Sequence, residues 1–450
     1  MTYSRTTPGA IALLCLLSLF MSCSKTELAT PNSSFLNDKS SNFITDWTAL
    51  SLELSSQCNG YSEPITSRAM FYSALTMYES LQPGLRQTKS LQLKLNNFNT
   101  TLPQADPGLA YNYLITASQS MYRITLELFK SSGSENLKKV EILRDKYLQS
   151  ESVELDPDII KRSLDLGNEI AWKMISFSEN DGKANAYLNP SPAYIISNDP
   201  AIWRPTPPDY FSKPILPDWG SAKICFAENS ELVSAMKSEV LKYSDSQNSI
   251  IYAEAFEVYN LSINLDSQQR DYLEYWNSKM DFHASPLLHN YLLMMQLIEE
   301  HNLHLEPALK LFVRLAIAQY EAYVISWDIK YKTNLLRPST YIKQHIDRYY
   351  IPEYSSPATP EFVSDKAVIY NASARIFSET FGFRLPFMDY TQSMRKDLRE
   401  NRIFFESFEQ MAKVAAYSDL YSASQFRSSI VNGLNIGNAI AGQVMKLKLD

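Results

Sequence analysis

Two long apolar stretches, Leu287–Leu303 and Pro307–Lys332, follow each other almost without a break. At helical spacing they are the two most apolar helices of the chain, and a helix that is apolar round most of its surface has to be covered by others. They therefore predict the centre of a helical bundle. Glycine supports this: there are 12 in 450 residues, where average usage would give roughly 30. Few glycines mean few tight turns, which favours long helices over a many-turned β fold. With 45% hydrophobic residues and 20% charged, a large core is feasible.

Helical periodicity starts at Phe43 and continues almost throughout. Pro64–Arg68 opens a helix whose Met70, Ala74, Met77, Tyr78 and Leu81 share a face, and Pro83-Gly84 ends it. Further helices are expected over Leu109–Lys130, Asn136–Gln149, Pro157–Phe177, Ser230–Tyr243, Ser249–Tyr259 and Asp266–Ser278. Asn189–Gly220 differs, with eight prolines, Trp203 and Trp219 and no helical period, as a functional or wrapping loop would. No internal repeat is present. The expected organisation is a single all-α domain over residues 42–450, with N-terminal helices over 42–188, the Pro-rich loop over 189–220 and core helices over 230–450.

The N-terminus reads as targeting. Arg5 precedes the apolar run Ala10–Met21, and Ser22-Cys23 follows it. This is the pattern of a bacterial lipoprotein signal over residues 1–23 with Cys23 acylated, an ordinary secretory signal or a short anchor being the alternatives. Residues 24–41 are polar and read as a flexible tether, so the expected location is the bacterial cell envelope, with the membrane as partner through the lipid. Net charge of −7 argues against a nucleic-acid partner. Cys58 and Cys225 permit one disulfide without requiring it.

Five histidines are present. His301 and His304, beside Glu299 and Glu300, could present ligands on one turn, but a solvated helix end is the commoner reading and no metal is expected. His283 and His289 straddle the helix start at Pro286 and read as structural.

Three segments carry chemistry. In Trp327–Ile342, Lys330 and Arg337 are separated by six residues, with Pro338 following. In Pro360–Val368 a helix begins near Ser364. Ala416–Gly437 breaks at Ser422–Ser424 and then places Gly433 and Gly437 on one helix face, where another backbone can come close. In order and spacing these segments resemble the vanadium-dependent haloperoxidase and type 2 phosphatidic acid phosphatase superfamily, in its secreted bacterial haloperoxidase-like branch. The resemblance runs from about Phe43 to Leu449.

That superfamily's pattern is Lys-x6-Arg-Pro, then Pro-Ser-Gly-His, then Ser-Arg-x5-His. The cations, the serine hydroxyl and a helix N-terminus hold an oxyanion, and the histidines act as acid/base and as nucleophile or metal ligand. Carried over, Lys330, Arg337 and Ser364 match. Val363 replaces the proline, Asp365 the glycine, Lys366 the first histidine, Asp419 the arginine and Gln425 the last histidine, while Ser429 stands where an acidic residue often follows. No histidine occurs after His345, and Arg427 lies on the wrong side of Gln425 to replace the lost arginine. The resemblance therefore implies a pseudoenzyme with no catalytic residue and no cofactor, acting as an envelope binding or scaffold protein. In it Asp419 is expected to pair with Lys330 or Arg337. The alternatives are an active phosphatase or haloperoxidase with a rearranged pocket, which would take vanadate or phosphate, and a glycan-binding surface lipoprotein using exposed tyrosines with Trp203 and Trp219.

Overall fold

The computed structural model describes residues 36–86, 88–277 and 285–450. Cys23, the segment before Leu36 and His283 lie outside the described residues. Among them the chain forms fourteen α-helices: α1 (Asn42–Gln57), α2 (Glu63–Leu81), α3 (Tyr113–Leu128), α4 (Ser134–Glu151), α5 (Pro157–Glu179), α6 (Asn229–Met236), α7 (Ile250–Ile263), α8 (Ser267–Trp276), α9 (Pro286–Glu300), α10 (Leu305–Thr333), α11 (Pro338–His345), α12 (Asp365–Phe381), α13 (Phe408–Tyr421) and α14 (Arg427–Met445). A small antiparallel hairpin, β1 (Phe387–Asp389) with β2 (Ile403–Phe405), was not foreseen from the helical periodicity. The architecture is all-α, as expected.

The 29-residue α10 is the axis of the bundle. From Leu305 to Lys330 most of its residues are buried, and it packs against α2, α12 and α14. The other expected central helix, α9, is likewise buried along most of its length. Gly433 and Gly437 bring α14 onto α12 so closely that a Cβ on either would lie 2.6 Å from Ser364 O or 2.4 Å from Val368 O.

Three expectations need correction. The tether does not extend to residue 41: Leu36 is fully buried, its N–H bonds to Gly84 O, and Ser40 bridges to His304. The helix expected over Ser230–Tyr243 stops at Met236, where Ser238 N–H and Glu239 N–H bond back three residues to Ala235 O and Met236 O and tighten the chain into a turn. Trp203 and Trp219 are buried to within 1%, so neither forms part of a sugar-binding surface. The Pro-rich segment instead wraps the end of α10. Trp203 N–H donates to Asn334 O, Ile202 bridges Leu335, and Leu336 N–H donates to Ala201 O.

Candidate functional site

Lys330 lies one turn before the end of α10, which stops where Asn334 takes a left-handed conformation (φ 54°), one that asparagine tolerates better than most residues. The next residues run extended, clamped by Ala201–Trp203, and lead to Arg337 as N-cap of α11 with Pro338 at its first position. Both cations are fully buried. Arg337 donates to Thr359 O (3.0 Å), Thr359 Oγ1 (2.8 Å) and Ser424 O (2.9 Å). Lys330 Nζ donates to Pro360 O and Glu361 O, each at 3.1 Å, and meets Asp365 Oδ1 at 3.0 Å. Burial pushes both cations down from their ordinary pKa, opposed most strongly in each case by the Asp365 carboxylate.

Ser364 caps α12, its hydroxyl accepting from Ala367 N–H at 3.2 Å. Asp365 therefore sits in the first turn, where a helix attracts negative charge. Burial pushes its carboxyl up, but Lys330 and Arg337 outweigh that and hold it below the ordinary value. Lys366, the next residue, points elsewhere. Its Nζ meets Asp419 Oδ1 at 2.6 Å, Asn277 Oδ1 at 3.0 Å, Trp276 O at 3.2 Å and Ser418 Oγ at 3.3 Å. The expected pairing of Asp419 with Lys330 or Arg337 is thus corrected: Asp419 on α13 pairs with Lys366, and Lys330 pairs with Asp365. Burial outweighs Lys366 at Asp419 and leaves that carboxyl raised.

Gln425 lies in the turn between α13 and α14 and is 2% exposed. In the amide orientation that satisfies both ends, its oxygen accepts from Arg337 Nη1 (2.8 Å) and its nitrogen donates to Glu361 Oε1 (2.8 Å) and Glu361 O (3.0 Å). Lys330, Arg337, Ser364, Asp365 and Gln425 are therefore brought together, with Lys366 and Asp419 beside them.

Sequence reasoning missed two carboxylates. Glu361 is fully buried and accepts from Phe426 N–H and the Ser429 hydroxyl, each at 2.7 Å. Burial pushes it up to about 7 against those donors and the nearby cations. Its position in Pro360–Val368, one residue after a proline and three before the helix cap, was the available signal. Glu63, at the start of α2, accepts from the Tyr323 hydroxyl and feels both Asp365 and Lys366. Burial pushes it up to about 7 as well. In sequence nothing links it to the pocket.

The remaining candidates lie apart. Arg427 turns to Glu257. His289 is fully buried against Asp389 at 2.7 Å, a structural placement. His301 ends α9 with its ring on Phe381, and His304 is the N-cap of α10. Cys58 and Cys225 are buried, unpaired thiols.

No family model and no curated protein matches the sequence. Solved structures do resemble it. A bacterial vanadium-dependent iodoperoxidase aligns with a TM-score of 0.79 at 24% identity, covering 91% of this chain and 97% of that one. The holo form of a bacterial vanadium-dependent chloroperoxidase aligns with a TM-score of 0.63 at 13% identity over 86% and 92% of the two chains. An apo-type chloroperoxidase aligns with a TM-score of 0.65 at 12% identity over 91% and 97%. The chain has the fold of the bacterial vanadium-dependent haloperoxidases.

Proposed function

We propose that the protein is a catalytically inactive, lipid-anchored homologue of the vanadium haloperoxidases and acid phosphatases, acting in the bacterial envelope as a binding or scaffold protein. The observation that carries this reading is the pair of ion contacts closing the pocket, Lys330 with Asp365 and Lys366 with Asp419. The Asp365 carboxylate lies at the N-terminus of α12 against Lys330, where a bound oxyanion would need to sit. Arg337 is occupied by Thr359, Ser424 and Gln425.

Vanadate or phosphate does not fit this donor set. A second anion about 4 Å from Asp365 would be repelled by roughly 4 kcal/mol at an effective dielectric of about 20. Gln425 supplies an amide, already held at both ends, where a nucleophile or metal ligand would be needed. Removing a nucleophile alone typically costs about a millionfold in rate, so no catalytic step runs through these residues.

The test is vanadate binding, followed by vanadium NMR and calorimetry, together with halide oxidation and phosphate-ester hydrolysis by the purified protein. None is expected. The quadruple variant Asp365→Gly, Lys366→His, Asp419→Arg, Gln425→His should acquire vanadate affinity. Vanadate binding or halide oxidation by the unaltered protein would overturn the reading in favour of an active enzyme with a rearranged pocket. For the anchor, Cys23→Ala should release the protein from membranes, and unchanged detergent partitioning would count against it.

A further inference from the structure

We propose that the groove between α7, α8, α13 and the start of α14 is a binding subsite for a neutral hexopyranose ring. Its volume is about 340 Å³, at the small end of the range for ligand pockets. Tyr272 of α8 and Tyr417 and Tyr421 of α13 line it, rimmed by Gln269, Lys413 and Arg427. The α13 contributors Lys413, Tyr417 and Tyr421 recur every four residues, so they share one helix face. Asp419 lies off that face, paired with Lys366, so the groove is separate from the closed pocket and the inference does not depend on that pocket being inactive.

Two observations select the ligand. The three tyrosines are each partly exposed, and among the described residues none stacks on another aromatic ring. Arg427 covers one face of Tyr417 at 5.3 Å. Tyrosines left open in a concave site offer an apolar face with a polar tip, which matches a pyranose: a C–H face to stack and hydroxyls at the edge to hydrogen-bond. The second observation is charge. Arg427 is held by Glu257 through contacts of 2.8, 2.9 and 2.5 Å, and Lys413 by Glu409 at 2.6 Å. Each cation at the rim is thus paired with a carboxylate just outside the groove, so neither is left as an unpaired charge calling for an acidic ligand, and a neutral polyol fits. Gln269 uses its amide oxygen to cap α8. Its NH2 group has no protein acceptor among the described residues and remains available to a hydroxyl.

The experiment is saturation-transfer NMR of the purified protein with neutral gluco-, manno- and galacto-oligosaccharides, and with uronic-acid oligomers as the charged comparison. Transfer to pyranose C–H protons of at least one neutral sugar is expected, with calorimetry giving the affinity. Tyr417→Ala and Tyr272→Ala should each weaken binding about tenfold, whereas Tyr417→Phe, which keeps the stacking face, should retain it. Both rings also pack against the core, so the alanine variants should melt somewhat lower than the parent, and binding is compared at a temperature where thermal unfolding shows each variant fully folded. No binding of any neutral sugar up to about 10 mM, a preference for uronic acids, or binding indifferent to both alanine variants would each overturn the proposal.

Discussion

Lys366 and Asp419 lie 2.6 Å apart with side chains 11% and 8% exposed, and their coupling can be measured. Breaking a buried pair by removing one partner costs about 3–5 kcal/mol, whereas replacing both partners with apolar groups is often neutral or stabilising. Asp419→Leu leaves Lys366 with Trp276 O, Asn277 Oδ1 and Ser418 Oγ as acceptors, so the loss should fall near 3 kcal/mol. Lys366→Met leaves the Asp419 carboxylate without its cation, and the loss should approach 5 kcal/mol at pH 7. That loss should shrink as the pH falls, because a carboxyl raised by burial escapes by taking a proton. The double variant Lys366→Met/Asp419→Leu should recover most of the stability, giving a coupling of at least about 3 kcal/mol. The assay is urea unfolding at pH 7, followed by circular dichroism and tryptophan fluorescence, with coincident transitions required. Single losses that add to the double within about 0.5 kcal/mol would refute the claim that these residues close the pocket as a pair.

Stability should also respond to pH. Glu321 and Glu361 are fully buried and pushed from 4.5 up to about 7 by burial, so their contribution is complete below about pH 4.5 and is lost as pH climbs through 7. The lowered Asp365 and Asp389 act oppositely: theirs is present above 3.8 and lost as pH falls below it. The melting temperature should therefore be highest near pH 4–5 and decline toward pH 8, with Glu361→Gln flattening the decline. A melting temperature that rises steadily from pH 5 to 8 would contradict this. Gly433→Ala should lower stability by about 1–3 kcal/mol or more, since its Cβ would lie 2.6 Å from Ser364 O and 2.8 Å from the Ala367 Cβ. Gly442→Ala, with nothing within 4 Å, should be neutral or slightly stabilising, and equal denaturation midpoints for the two variants would be the adverse result.

The helices were legible because their signals are local and periodic: α10 and α9 from apolar runs, α12 from the serine that caps it, the α12–α14 contact from two glycines four apart. The composition of the pocket was legible too, since Lys330, Arg337, Ser364, Asp365 and Gln425 do meet. Pairing was not. Asp365 and Lys366 are neighbours in sequence but about 100° apart around their helix, so one faces α10 and the other α13. Sequence lists both charges without that rotation, and Asp419 was assigned to the wrong cation. Glu63 arrives from α2, more than 250 residues from its partner Tyr323, and no local pattern could have announced it. The two tryptophans of the Pro-rich segment misled for a related reason, because an irregular stretch carries no period from which to tell an inward ring from an outward one.

That segment has a further consequence. Residues 201–203 hold residues 334–336 by main-chain hydrogen bonds, and Leu335 O in turn accepts from Glu361 N–H. The stretches that deliver Arg337 and Glu361 are thus fixed by groups every amino acid shares, independent of the side chains around the pocket. Substitutions there can invert a charge or delete a reactive group while the frame stays where it was. A pocket framed this way can change its side chains without moving the backbone that carries them.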